Sequence, residues 1–434
     1  DIHPRIASSV QSHLFKYWYY NSKASLMKEE SEFVLNPFSD NFKQLVLEKN
    51  ENILNDLPSL SESQTNVVII ILESFRAYEI GAYGSDLGIT PNFDRYSEKG
   101  ILFSRIYSSF FLSRGGLWSI LCGAHRYLND FIQVLTNFKD HGVKCLPEYF
   151  SDLNYETWWL YGQSATYDSA GYFMNRHSVR NIVDRLSFPS EAKVLGWGIN
   201  DEDLMTLSLD KLSSSKQPYF AIIQTQTNHH PFEAPDEYKK DYGYGVSVNK
   251  FYSTFNYTDA MLGYFLDEYR KTEHGGKSLI IVTADHGNGK EQIGQKGNTT
   301  VTTINGNHIP LLILFPTDYK ISKKTINYLG GQQDIMPTVM DIMRIKEDFP
   351  VFGKSLFRDY KYRYTKVGKG VNNWFLNGQK YFRIFPEKSL FDLKGKELEI
   401  NEEDRKWFDL SIEIDHIQKW IIRQKSINLV KTRL

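Results

Sequence analysis

The chain has 434 residues, of which 41% are hydrophobic and 15% aromatic, enough apolar material for packed cores and too much for wholesale disorder. Its 51 Lys and Arg against 52 Asp and Glu leave a net charge of −1, so no basic field marks the whole chain for nucleic acid. Two cysteines, Cys122 and Cys145, exclude a disulfide scaffold and a cysteine-rich zinc module, and whether they pair stays open.

Residues 1–64 are polar and aromatic, with a helical stretch at 37–50 and a loop-like end, and are expected to form an N-terminal helical or linker segment. The longest aliphatic run, from Val67 to Leu72, is too short to span a bilayer. No signal-peptide pattern is visible and the chain starts at Asp1, which reads as a soluble piece, mature or cut from a precursor. From 65 to 345 short apolar runs alternate with helix-length stretches: Asn66–Leu72, 157–160, Tyr219–Gln224, 278–283 and 311–315. Short β-branched runs spaced in this way predict an α/β domain, with a largely parallel central sheet and helices on both faces. From 346 to 434 the pattern shortens and becomes aromatic, predicting a small antiparallel subdomain closed by an amphipathic helix near 404–424.

Two of the buried-strand candidates end in acids. The run at 67–72 passes into Glu73-Ser74, and that at 279–284 passes into Asp285-His286-Gly287. Ligands of open α/β sheets gather at the carboxyl ends of strands, where an unpaired acid or imidazole is costly unless it holds a metal or a partner. Helix capping is the alternative for each acid taken alone. Ser113, in Phe111-Leu112-Ser113-Arg114-Gly115-Gly116-Leu117, precedes a predicted helix. Its hydroxyl and the first free N–H groups would meet at one point, an anion site with a nucleophile built in, or else a plain N-cap.

These residues carry a resemblance. Glu73 with Gly81-Ala82-Tyr83-Gly84 and Thr90-Pro91-Asn92-Phe93-Asp94 resembles the opening of the sulfatase/alkaline-phosphatase superfamily. Ala284-Asp285-His286-Gly287, Asp334-Ile335-Met336-Pro337-Thr338 and Ser389-Leu390-Phe391-Asp392-Leu393 resemble its later signatures, in order. Sulfatases usually open with two Asp and carry Cys or Ser in a Cys/Ser-x-Pro/Ala-x-Arg motif. This chain has Glu73-Ser74 and Ser113-Arg114-Gly115-Gly116 instead. It is more similar to the lipoteichoic acid synthase and phosphoglycerol transferase branch. Trp197-Gly198-Ile199-Asn200-Asp201-Glu202, Phe173-Met174-Asn175-Arg176 and Thr227-Asn228-His229-His230-Pro231-Phe232 agree with that branch.

The resemblance implies one divalent metal ion held by Glu73, Ser113, Asp285 and His286, with Ser113 as the nucleophile. Manganese is the first choice, with zinc, magnesium and calcium as alternatives; carboxylate and imidazole ligands suit such ions. It implies substrate contacts from Arg176 and His229, and Tyr161 takes the place of a pocket histidine. The implied substrate is a phospholipid or another phosphate or sulfate ester, handled outside the cytoplasm by a protein whose full-length form is membrane-anchored. A sulfatase or phosphodiesterase of the same superfamily is the alternative activity.

Other signals carry less. Residues 289–296 have the glycines of a P-loop without its Gly-Lys-Ser/Thr ending. Asn256-Tyr257-Thr258 and Asn298-Thr299-Thr300 match the glycosylation pattern by its short rule alone. Asp259 lies in a predicted helix at 251–269, where capping or solvation is expected. His308 precedes the 311–315 run at what would be the wrong end of a parallel strand; a loop folding it back keeps it as a phosphate-binding candidate. His230 is expected to be structural, since neighbours on an extended segment point opposite ways.

Overall fold

The strand after the loop at residue 65, β1 (Asn66–Leu72), has every residue buried, as expected of a β-branched run covered on both faces. The computed structural model describes residues 60, 65–125, 143–287, 303–319, 321, 324–346, 352–369, 372–385 and 387–423. The helix expected at 37–50, the 289–296 segment and the Asn298 motif lie outside these residues.

After β1 come α1 (Pro91–Ser97), β2 (Ile101–Tyr107), α2 (Ser113–Cys122), α3 (Leu146–Asp152), β3 (Glu156–Tyr161), α4 (Ala170–Arg176) and β4 (Asn181–Val183). A short pair, β5 (Val194–Leu195) and β6 (Gly198–Ile199), leads into α5 (Asp201–Ser214) and β7 (Tyr219–Gln224). Then follow α6 (Val246–Tyr269), α7 (Glu273–Gly276), β8 (Ser278–Ala284), β9 (His308–Ile309), β10 (Leu311–Leu314), β11 (Lys324–Gly331) and α8 (Ile335–Ile342). The C-terminal part holds β12 (Thr365–Lys369), β13 (Asn372–Leu376), β14 (Lys380–Phe385), β15 (Ser389–Asp392), β16 (Glu397–Leu398) and α9 (Glu402–Arg423).

Among the described residues the main sheet has nine strands, in the order β11-β2-β10-β8-β1-β7-β3-β4, with β9 beside β2. β8, β1, β7, β3 and β4 are mutually parallel, so β1, β7 and β8 deliver their carboxyl ends to one edge. β10 runs antiparallel to both β8 and β2. A separate antiparallel sheet, β12 to β16, packs with α9 through Phe382 and Phe408, whose ring centroids are 5.2 Å apart. Phe375, Phe382, Leu390 and Phe408 belong to the same continuous core as Val67 to Leu72. The α/β class, the largely parallel sheet and the small antiparallel sheet are as expected.

Two local expectations change, for Ser113 and for β10, and the capping expected of Asp259 is met. Ser113 is the first residue of α2, not its cap; Leu112 caps it in extended conformation with no side-chain bond, leaving the serine hydroxyl for other partners. Asp259 is buried and caps α1, accepting from the backbone N–H groups of Asn92 at 2.9 Å and Phe93 at 2.8 Å. β10 is antiparallel, so its N-terminal end, not its C-terminal end, lies beside the carboxyl end of β8: Leu311 pairs with Thr283.

Candidate active site

Each acid at a strand end is held by its neighbours. The backbone N–H of Glu73 donates to Thr225 Oγ1 at 2.9 Å, just past β7, and Asn228 Nδ2 donates to the Glu73 carbonyl at 3.1 Å. Ser74 turns the chain with a φ of 52°, a left-handed conformation uncommon for serine. That turn points its N–H at Asp285 Oδ1, 2.9 Å away, and its hydroxyl at Glu73 Oε1, 2.8 Å away. Gln332 Nε2, beyond β11, donates to the carbonyls of Ala284 at 2.9 Å and Asp285 at 2.6 Å. Asp285 is therefore fixed from two sides.

The nucleophile candidate arrives from a third direction. Gly116, in the first turn of α2, lies so close to the backbone of Asp285 that any β-carbon there would collide with the Asp285 carbonyl. That approach brings Ser113 Oγ to 3.2 Å from Glu73 Oε2 and 3.4 Å from His286 Nε2. His286 Nε2 also lies 3.7 Å from Glu73 Oε1 and 3.7 Å from Asp285 Oδ2. The ring is oriented by its other nitrogen: Nδ1–H donates to the Gly287 carbonyl at 2.8 Å, which turns the Nε2 lone pair towards the carboxylates.

Acceptors thus converge with few donors among them. Asp285 Oδ2 is buried and has no hydrogen-bond partner among the described residues. The Glu73 carboxyl is pushed well above its ordinary range, first by burial and then by the Asp285 charge beside it. The ligand atoms of Glu73, Asp285 and His286 lie within 4.8 Å of one another. Two buried carboxylates, an inward lone pair and an orphaned oxygen fit a divalent cation, which would neutralise what burial leaves uncompensated.

The other predicted residues divide. Tyr161 and His229 line the pocket above the cluster, together with Phe111, Arg114, Tyr167, Asp168 and Trp197. Tyr161 is buried and its hydroxyl is held protonated, chiefly by burial and then by Glu73 and Asp285. His229 donates from Nδ1 to the His230 carbonyl at 2.7 Å, lies tilted against Trp197 with centroids 4.4 Å apart, and has its pKa lowered by burial. His230 lines the pocket as well, where a structural role was expected.

Arg176 ends α4 and is not among the pocket-lining residues. His308 is not brought to the pocket either. Although β10 begins at the ligand edge, the β9 pairing with β2 turns the ring onto Tyr107, stacked at 5.1 Å, with Nε2 donating to the Ser104 carbonyl at 2.9 Å. Burial holds its pKa down at about 4, that of a neutral imidazole. Thr225, Asn228, Gln332, Arg114 and Asp168 were not singled out from the sequence. Asn228 lies inside the Thr227-Asn228-His229 segment, Thr225 just before it and Arg114 beside Ser113, which are the signals the sequence offered; Asp168 and Gln332 had none.

Cys122 and Cys145 form a disulfide joining the C-terminal end of α2 to the start of α3. His177 Nε2 lies 3.7 Å from Cys145 Sγ, yet the bonded sulfurs are not thiolates and cannot hold a metal with it.

Comparison with known proteins gives the fold and the family. The chain superposes on a protein in the alkaline phosphatase superfamily from Vibrio parahaemolyticus with a TM-score of 0.74 at 21% identity, covering 89% of this chain and 98% of that one. It superposes on the lipoteichoic acid synthase LtaP from Listeria monocytogenes with a TM-score of 0.72 at 18% identity, covering 86% and 97%. The fold is that of the alkaline phosphatase superfamily. A family model described as Sulfatase matches residues 65–345, and the chain belongs to that family. In sequence it is similar to the lipoteichoic acid synthase-like protein YvgJ of Bacillus subtilis (strain 168), 24% identical over 320 residues. That alignment covers 67% of this chain and 49% of the relative, so the chain spans about half the length of the curated protein it matches. It is an enzyme of the sulfatase family.

Proposed function

We propose that the chain is a divalent-cation-dependent phosphotransferase that moves a phosphoglycerol or related phospho-headgroup from a phospholipid donor through Ser113. The observation that carries this reading is the convergence of Ser113 Oγ, Glu73, His286 and the unpartnered Asp285 Oδ2 at one end of an open pocket. The similarity to lipoteichoic acid synthases supports the choice of branch.

When bound, a divalent cation held by Glu73, Asp285 and His286 with Ser113 lowers the pKa of a hydroxyl beside it and offsets negative charge on phosphate oxygens. The chain's own residues do the rest. Ser113 Oγ attacks phosphorus in line, forming a P–O bond while the bond to the donor's lipid alcohol breaks. The serine proton has acceptors in reach at Glu73 Oε2 and His286 Nε2. The lipid leaves as a protonated alcohol, and an acceptor hydroxyl then displaces serine to regenerate Ser113. His229, with Nδ1–H committed to the His230 carbonyl, offers the Nε2 lone pair to a substrate hydroxyl.

No described helix is long and apolar enough to cross a membrane. The Cys122–Cys145 disulfide supports an extracytoplasmic site of action, where such bonds persist. Sulfate-ester hydrolysis is the second reading, favoured by the family-model match. The experiment incubates the protein, loaded in turn with each divalent metal, with phosphatidylglycerol and separately with a sulfate ester. Diacylglycerol release supports the transferase reading; sulfate release without diacylglycerol replaces it.

A further inference from the structure

The pocket over Ser113 is rich in acceptors and poor in cations. Glu73 and Asp168 line it, and Asp285 lies just below. Among the described residues that line it, Arg114 is the one Arg or Lys. The arginine that family resemblance puts in contact with the phosphate, Arg176, stands outside the lining. A tetrahedral oxyanion brought to Ser113 therefore meets one guanidinium, and it belongs to the next residue along the chain.

Arg114 sits in the first turn of α2, where the helix end favours negative charge. Its Nη1 lies 3.0 Å from Asp168 Oδ1, with the arginine side chain 18% and the aspartate side chain 37% exposed. Asp168 is presented by an unusual turn: Asp168 has φ 51° and Ser169 has φ 60°, two consecutive left-handed residues without a glycine. Such conformations cost free energy and persist where the surroundings impose them. Their effect is to hold a carboxylate against the one arginine among the described residues that line the pocket.

We infer that Arg114 is the anion-binding residue of this site and that Asp168 is its internal competitor, displaced when a phosphate or sulfate group takes over the guanidinium. The planar fork of arginine matches two oxygens of such a group, and the Asp168 carboxylate that now faces it across 3.0 Å is itself partly exposed and free to give way. Asp168 thus keeps Arg114 positioned and neutralised until an oxyanion arrives. The inference rests on the functional reading only in taking Ser113 as the point at which the substrate reacts.

The test measures binding of inorganic phosphate to the manganese-loaded full chain by calorimetry, with no turnover required. Arg114→Gln weakens phosphate by about tenfold or more, as expected for loss of a charge-assisted contact. Arg114→Lys falls between, since lysine keeps the charge without the fork. Asp168→Asn tightens phosphate by about two- to fivefold, the scale of a partly exposed ion pair. In the double variant Asp168→Asn brings no gain, because nothing is left to release. Absence of phosphate binding by the wild type, unchanged affinity in Arg114→Gln and Arg114→Lys, or weaker binding in Asp168→Asn overturns the inference. Circular dichroism checks folding, and Asp168→Asn and Arg114→Lys carry the test if Arg114→Gln does not fold. Phosphate binding through Arg114 alongside full turnover in a Ser113 variant would leave this inference standing and remove the transferase reading; the reverse pattern would do the opposite.

Discussion

Ser113 Oγ and Glu73 Oε2 lie 3.2 Å apart although 40 residues separate them in the chain. One closes the carboxyl end of β1 and the other opens α2. Their meeting depends on Gly116, because α2 can reach the Asp285 backbone only without a side chain at that position. Gly116→Ala is therefore expected to push α2 away from the cluster. The shift costs about 1–3 kcal/mol of stability, as over-packing usually does. It also lowers kcat by about tenfold to a hundredfold, the scale of an ångström-sized misplacement. Thermal unfolding and steady-state kinetics on the folded variant check both, and wild-type kcat in Gly116→Ala would contradict the packing argument.

Metal loading should be readable as stability. A cation that binds only the folded chain adds roughly 2.7 kcal/mol at about one hundred times its Kd. Manganese should therefore raise the melting temperature of wild type and leave those of Glu73→Gln and Asp285→Asn nearly unmoved. In the metal-free protein Glu73→Gln is expected to melt no lower than wild type, because burial and the Asp285 charge already push Glu73 towards the neutral form that the amide mimics. Equal manganese shifts in all three proteins would contradict the ligand set.

His308 gives a pH signature apart from the site. Its folded pKa of about 4 lies below its ordinary 6.5, with burial the main cause and the Arg105 charge a further one. Tyr83 and Tyr107 are the rings against it. Between those values the unfolded chain binds the proton that the folded chain refuses, so this stability is present above pH 6.5 and lost as pH falls towards 4. His308→Gln, which keeps an amide donor for the Ser104 carbonyl, should flatten that acid limb by no more than about 3 kcal/mol. Urea unfolding from pH 7 to pH 4 checks it, and parallel curves for the two proteins would refute it.

The Cys122–Cys145 bond closes a loop with a sequence separation of 23 and anchors the end of α2 opposite Ser113. Loop-closure entropy puts its contribution at about 3 kcal/mol. The double Cys122→Ser, Cys145→Ser variant should unfold at correspondingly lower urea. An unchanged midpoint would mean that the native packing alone fixes α2.

Much of the frame was legible because β1, β7 and β8 are buried on both faces and so read as unbroken apolar runs. The abrupt acids at their ends marked Glu73 and Asp285 for the same reason: nothing else ends a buried strand in a charge without a partner. β2 was harder to read, since Ser104 and Arg105 interrupt its burial, and β11 has exposed residues along its first half. The direction of β10 is set by its neighbours β8 and β2, not by its own four residues, and the placing of His308 depended on it. Arg114 and Asp168 meet through a left-handed turn at non-glycine residues, which no local pattern announces. Thr225 and Gln332 hold Glu73 and Asp285 from separate strand ends, a relation that exists only once the sheet is assembled.

The central claim, that Ser113 carries the transferred group, is tested most directly by mass spectrometry of the manganese-loaded protein quenched during reaction with phosphatidylglycerol. The account predicts an added phosphoglycerol mass on the peptide containing Ser113, absent from Ser113→Ala. It also predicts that Ser113→Ala loses several orders of magnitude in turnover with manganese still bound, at least about 4 kcal/mol in the barrier. An unlabelled Ser113 peptide together with turnover in Ser113→Ala within about tenfold of wild type would mean that water or the acceptor attacks directly, and would contradict the account.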